Sequence, residues 1–153
     1  MRNPGPRGSP AGPSFLYNLN MPAKNKAAVL RGDKDLSFPH ALLISASAGS
    51  GKTYTLTQRY VQFLLSAQVP NNGLPNILAV TFTNNAAKEM KARILAWLKE
   101  IALNPDCPRM DETLQLVDLN REAAHRRAQE LVERIIDNYS DFHIQTIDSF
   151  LAR

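Results

Sequence analysis

The stretch Ile44-Ser45-Ala46-Ser47-Ala48-Gly49-Ser50-Gly51-Lys52-Thr53 constrains this chain more than any other. An apolar run, Ala41-Leu42-Leu43-Ile44, leads into small residues, and an amphipathic segment follows. That order predicts a strand, a glycine-rich turn and a helix. Such a turn converges several backbone N–H groups on one anion, and the helix adds the positive end of its dipole. The candidate phosphate-holding residues are therefore Ala46, Ser47, Ala48, Gly49, Ser50, Gly51, Lys52 and Thr53. In this reading Lys52 reaches the β- and γ-phosphates and the Thr53 hydroxyl ligates magnesium. The pattern G-x-x-x-x-G-K-[ST] is met except at its first position, which falls on Ala46. Alanine is tolerable there if φ is negative, whereas Gly49 and Gly51 stand where the chain comes closest to phosphate. The plain alternative is a strand–turn–helix corner with a solvated lysine.

With 153 residues, 44% of them hydrophobic and 21% charged, the chain can bury one ordinary globular core. A formal net charge of +4 permits a nucleotide or nucleic-acid partner without demonstrating one. The single cysteine, Cys107, excludes an internal disulfide and a cysteine-based zinc site, and fits a reducing compartment. No apolar run approaches the roughly 18 residues of a membrane span, and no signal-peptide core opens the chain, so a cytoplasmic location is expected.

Residues 1–21 are expected to be a disordered or mistranslated extension, Pro/Gly-rich at its start and with Met21 as an alternative start. Residues 22–39 read as an irregular lead-in, and residues 40–153 as one domain. A buried parallel strand is expected over 40–45, and a helix over 52–67 with Leu56, Tyr60, Phe63 and Leu64 on one face. A second strand, 77–82, precedes a helix capped at Thr83-Asn84 whose inward face is Ala87, Met90, Ile94, Trp97, Leu98 and Ile101. Residues 105–118 begin as a loop and are ambiguous afterwards. A helix over 120–138 carries an apolar stripe of Ala128, Leu131, Val132, Ile135 and Tyr139, with His125, Arg126 and Arg127 on a solvated face rather than on DNA. A strand at 142–146 and a helix start at 148–150 close the sequence. This alternation implies an α/β fold, a parallel sheet flanked by helices. Three strands leave bare edges, so an incomplete domain is expected.

Two further stretches sit where a strand meets its helix, the edge at which parallel sheets hold ligands. One is Thr81-Phe82-Thr83-Asn84-Asn85-Ala86-Ala87-Lys88-Glu89-Met90. Its hydroxyls and amide suit phosphate and Phe82 suits a base; a capped helix with Phe82 in the core explains it equally. The other is Thr146-Ile147-Asp148-Ser149-Phe150, where Asp148 or Ser149 alone would read as a helix cap.

Together the three stretches resemble the first motifs of superfamily 1 DNA helicases of the UvrD/Rep type. Residues 46–53 resemble motif I, which accepts alanine at its first position. Residues 81–90 resemble motif Ia, TFTNKAAxEM, with Asn85 in place of lysine. Residues 146–150 resemble motif Ib, often TxHSF, with Asp148 in place of histidine. The wording of the first and last leans toward the RecB/AddA branch of helicase–nuclease subunits.

The resemblance implies the RecA-like P-loop NTPase fold and an ATP-dependent helicase of DNA repair and recombination, using ATP and Mg2+. It implies that Thr81, Phe82, Thr83, Asn84, Thr146, Ile147, Asp148, Ser149 and Phe150 touch DNA, single- or double-stranded, and that a nuclease subunit is a partner. The family's later acidic pair and arginine fingers have no counterpart here. Asp111-Glu112 does not follow a buried strand, and no adenine-reading glutamine precedes the loop. The expectation is an N-terminal part of a motor, inactive alone. The other readings are an ATP- or DNA-binding module without catalysis, and a different P-loop NTPase, which would leave residues 81–90 and 146–150 unexplained.

Overall fold

The computed structural model describes residues 30–39, 41–45, 47 and 49–152; the extension expected over 1–21 lies outside them. The elements are α1 (Lys52–Leu65), β1 (Ala79–Thr81), α2 (Asn84–Leu103), α3 (Pro108–Leu114), α4 (Arg121–Asp137), β2 (Ile144–Thr146) and α5 (Ile147–Leu151). β1 and β2 pair in parallel, in the register Ala79–Ile144, Val80–Gln145, Thr81–Thr146. A parallel pair needs a crossover, and α2, α3 and α4 supply it.

Helix α2 is the spine. Its residues Ala87, Met90, Ile94, Trp97, Leu98 and Ile101 fall on one face at helical spacing, and all are buried. They meet Tyr60, Leu64 and Leu65 of α1, Ala124, Ala128, Leu131 and Ile135 of α4, and Phe142 and Ile144 leading into and along β2. Each such aliphatic side chain, fully buried, stabilises the fold by about 1.5–3 kcal/mol. The starts of α2 and α4 carry side-chain caps. Thr83 Oγ1 accepts from Ala86 N at 3.2 Å, and Asn120 Oδ1 accepts from Ala123 N at 2.8 Å. The ambiguous stretch after Pro105 forms α3, with Pro108 at a first-turn position where its missing N–H costs nothing.

The structure corrects several expectations. No strand forms over residues 41–45; Leu43 is 91% exposed and Leu42 is 42% exposed. A strand is held by ladder partners, and among the described residues only β1 and β2 pair. Among the described residues the sheet is therefore two-stranded, and the alternation of burial along it places one face against the helices. Ala79, Thr81, Ile144 and Thr146 turn inward, while Leu78, Val80 and Phe82 are exposed.

On α1, Leu56 is exposed, and the buried face instead takes in Thr57 and Gln62. Gln62 Nε2 donates to Asp33 Oδ1 at 2.9 Å and lies within 3.2 Å of Leu116 O. Asp33 is itself buried, its Oδ2 accepting from Asp118 N at 3.1 Å and its N–H donating to Leu116 O at 2.7 Å. Residues 22–29 of the expected lead-in lie outside the described residues; the rest carries a 3-10 turn, Asp33–Asp35, docked through Asp33.

The basic run on α4 divides. Arg126 is exposed and pairs with Glu122 at 3.3 Å. Arg127 Nε donates to Leu64 O at 3.1 Å, and His125 Nδ1 lies 2.8 Å from Ile101 O. These two satisfy orphan carbonyls at the ends of α1 and α2, which only tertiary packing brings within their reach. Tyr139 is exposed, beyond the end of the stripe.

Candidate functional site

The glycine-rich turn leads directly into α1. Gly49 has φ +73° and Gly51, the cap residue of α1, has φ +86°. Both lie in the left-handed region that strains a residue with a Cβ, and nothing among the described residues approaches within 4 Å of where a Cβ would stand. The backbone at both glycines is thus open to solvent. Ser47 O anchors the turn, accepting from Ser50 N at 3.3 Å, Ser50 Oγ at 2.6 Å and Lys52 Nζ at 2.8 Å. Lys52 is thereby folded back over the loop it follows. Gly49, Ser50, Gly51, Lys52 and Thr53 are all exposed, as is Ser47. The positions of Ala46 and Ala48 lie outside the described residues.

The residues fit a nucleotide's phosphates with magnesium. Open glycines, a lysine and a hydroxyl follow one another at the start of a 14-residue helix whose dipole favours negative charge. Among the described residues no group of three or more His, Cys, Asp or Glu forms a metal cage. Magnesium here would take Thr53 together with phosphate oxygens and water, the usual way this ion is bound.

The other two stretches meet at the carboxyl end of the sheet, where Thr81 pairs with Thr146. Thr81 Oγ1 donates to Thr83 O at 3.0 Å, turning the chain out of β1. Phe82 is 89% exposed, so the alternative that buried it in the core fails. Thr83 caps α2, and Asn84 is exposed at its first position. At the second strand Thr146 is the cap: its Oγ1 accepts from Ser149 N at 3.3 Å and lies 2.9 Å from Ser149 Oγ. This corrects the assignment of the cap to Asp148 or Ser149. Those two are exposed beside Ile147 and Phe150. The edge therefore carries hydroxyls and a carboxylate interleaved with exposed apolar side chains, Phe82, Ile147 and Phe150 among them.

A cluster that sequence reasoning missed lies behind the turn. Tyr54, the residue after Thr53, donates its hydroxyl to Glu112 Oε2 and accepts from Arg109 Nη1 at 2.8 Å. Arg109 also pairs with Glu112 at 3.3 Å and stacks over Trp97 at 4.3 Å. Burial, and then the bond to Glu112, push the Tyr54 hydroxyl pKa up, so it stays protonated. The signal in the sequence was slight: an aromatic after Lys-Thr, and an Arg and Glu three positions apart on a short helix.

Comparison with known proteins gives one consistent picture. A family profile described as UvrD/REP helicase N-terminal domain matches residues 33–153. The chain is similar to an ATP-dependent helicase/nuclease subunit of Oceanobacillus iheyensis, 43% identical over 77 residues, half of this chain and 6% of that protein. It is 43% identical over 97 residues to ATP-dependent DNA helicase UvrD1 of Mycobacterium tuberculosis, covering 61% of this chain and 11% of the relative. Over 53 residues it is 58% identical to ATP-dependent DNA helicase PcrA of Staphylococcus epidermidis, covering 35% and 7%. The match thus spans about a tenth or less of these relatives' length. No solved structure matches.

Proposed function

Because the chain belongs to the UvrD/REP helicase N-terminal domain family, we propose that it is the nucleotide-holding part of the first motor domain of an ATP-dependent DNA helicase. The fold proposed is the P-loop NTPase (RecA-like) parallel sheet flanked by helices, over residues 40–153. Relatives named as DNA helicases support the reading. The observation that carries it is the Thr81–Thr146 pairing, which brings residues 81–84 and 146–150 to one edge of the sheet. ATP with magnesium supplies the phosphoryl transfer that drives movement. Lys52 would neutralise the β- and γ-phosphate oxygens, Thr53 would hold magnesium, and the backbone of residues 47–52 would cradle the phosphates. Thr83, Asn84, Ser149 and the backbone around them would meet DNA phosphates, and Phe82 and Phe150 would stack on bases. The helicase/nuclease names among the relatives support a nuclease partner, and repair of DNA fits a cytoplasmic site. No helix among the described residues is long and apolar enough to cross a membrane.

For these 153 residues by themselves the reading is ATP holding without turnover. The adjacent acidic pair at 111–112 is engaged elsewhere: Asp111 pairs with Arg121 at 2.6 Å and Glu112 serves Tyr54 and Arg109. Titration of the purified chain with N-methylanthraniloyl-ATP and magnesium tests this. Binding that is lost in Lys52→Ala, with no phosphate released, is expected. Binding indifferent to Lys52→Ala would sink the assignment.

A further inference from the structure

Below the turn the chain changes character. Residues 49–53 are exposed, residues 41–45 have no ladder partner among the described residues, and one position later the helix is bolted down. Tyr54 is the bolt. Its ring lies 5.4 Å from Trp97 of α2, tilted by 44°, and its hydroxyl joins Glu112 and Arg109 of α3. The Arg109 guanidinium lies against both rings, 4.3 Å from Trp97 and 5.2 Å from Tyr54, and its Nε lies 3.9 Å from Glu100. The platform is itself braced, since Trp97 Nε1 donates to Thr113 Oγ1 at 3.1 Å, and that hydroxyl donates to Arg109 O at 2.7 Å. Within α1, Thr57 Oγ1 donates to Thr53 O at 2.8 Å.

We propose that Tyr54, Glu112 and Arg109 are positioning residues for the nucleotide loop, fixing the first turn of α1 so that Lys52 and Thr53 meet the phosphates and magnesium at a set angle. The inference rests on the proposed nucleotide site and adds what holds that site in place. Preorganised groups keep their advantage only while their support is rigid, and a small rotation of the first turn moves both side chains together. A phenylalanine at position 54 would fill the same volume against Trp97. The hydroxyl and its carboxylate therefore add direction rather than bulk. The cluster borders a cavity of about 140 Å3, lined by Thr57, Arg93 and Glu100 as well, so water competes for its hydrogen bonds. A geometry kept under that competition needs the joint hold of Arg109 on the hydroxyl and the carboxylate.

The test compares N-methylanthraniloyl-ATP affinity, with and without magnesium, across the whole 153-residue chain and its variants, alongside thermal melting of each. Tyr54→Phe should weaken magnesium-nucleotide binding by roughly five- to tenfold, the scale of one hydrogen bond, while magnesium-free binding changes less. Glu112→Ala should lose as much, and Glu112→Gln, whose amide oxygen still accepts from the tyrosine, should recover part of it. Wild-type-like magnesium dependence in both Tyr54→Phe and Glu112→Ala overturns the proposal, even if melting falls. So does Tyr54→Phe alone, should Glu112→Ala fail to fold. Failure of the unaltered chain to bind, or binding indifferent to Lys52→Ala, defeats the nucleotide reading and this proposal with it.

Discussion

The two halves of α2 and their surroundings face different worlds. From Met90 onward its inward face is sealed: Ile94, Leu98 and Ile101 are wholly buried against α1 and α4. At its start, Phe82 and Asn84 stand in the open, as do Ile147 and Phe150 at the neighbouring strand exit. The same alternation of apolar and polar residues serves the core in one place and leaves apolar surface exposed in the other. Scattered exposed apolar residues are ordinary, but these cluster at one sheet edge with hydroxyls between them. The difference separates residues that hold the fold from residues held by it.

That separation can be broken by substitution. The largest expected effect on stability is Ile94→Ala, which should cost about 2–5 kcal/mol by leaving a cavity at the centre of the core. A melting temperature that barely moves would mean that the core is not centred on α2. At the open edge Phe82→Ala should change stability by under about 0.5 kcal/mol. It should instead weaken single-stranded DNA binding by about 1–3 kcal/mol, read from fluorescence anisotropy with a labelled oligonucleotide. An unchanged anisotropy titration would return Phe82 to the ordinary exposed surface.

The smallest effect is a pH slope. Burial raises the Tyr60 hydroxyl pKa well above its usual value, and its proton is donated to Ile77 O at 3.2 Å. In the unfolded chain this group ionises near about pH 10. Its contribution to stability is therefore complete below about pH 10 and is lost as pH rises toward the folded-state value. Tyr60→Phe should flatten melting temperature against pH in that alkaline range, and an unaltered slope would assign the dependence to other groups.

Much of the helical half was legible. The α2 face from Ala87 to Ile101 and its cap at Thr83 follow from spacing and local chemistry, and local chemistry is what a sequence displays. The apolar run at 41–45 reads as a buried strand and forms none, because pairing depends on a neighbour and not on the run itself. The α1 face departs from its pattern at Leu56 for a related reason. Gln62 and Thr57 are buried by hydrogen bonds to Asp33 and Thr53 O, and a polar residue with a partner leaves no mark in an apolar pattern. Within the candidate site the turn and the two strand exits were readable as motifs. The cluster beneath them was not, since Tyr54, Trp97 and Arg109 meet only through the packing of three helices.

The register of β1 with β2 has a kinetic consequence. These strands join only after the chain has closed the whole helical crossover between them, and distant closures of that kind are slow relative to local helix formation. The edge formed by Thr81 and Thr146 should therefore assemble late, after α2 and α4 have docked. A surface that exists only once the core is complete keeps half-folded chains from presenting it.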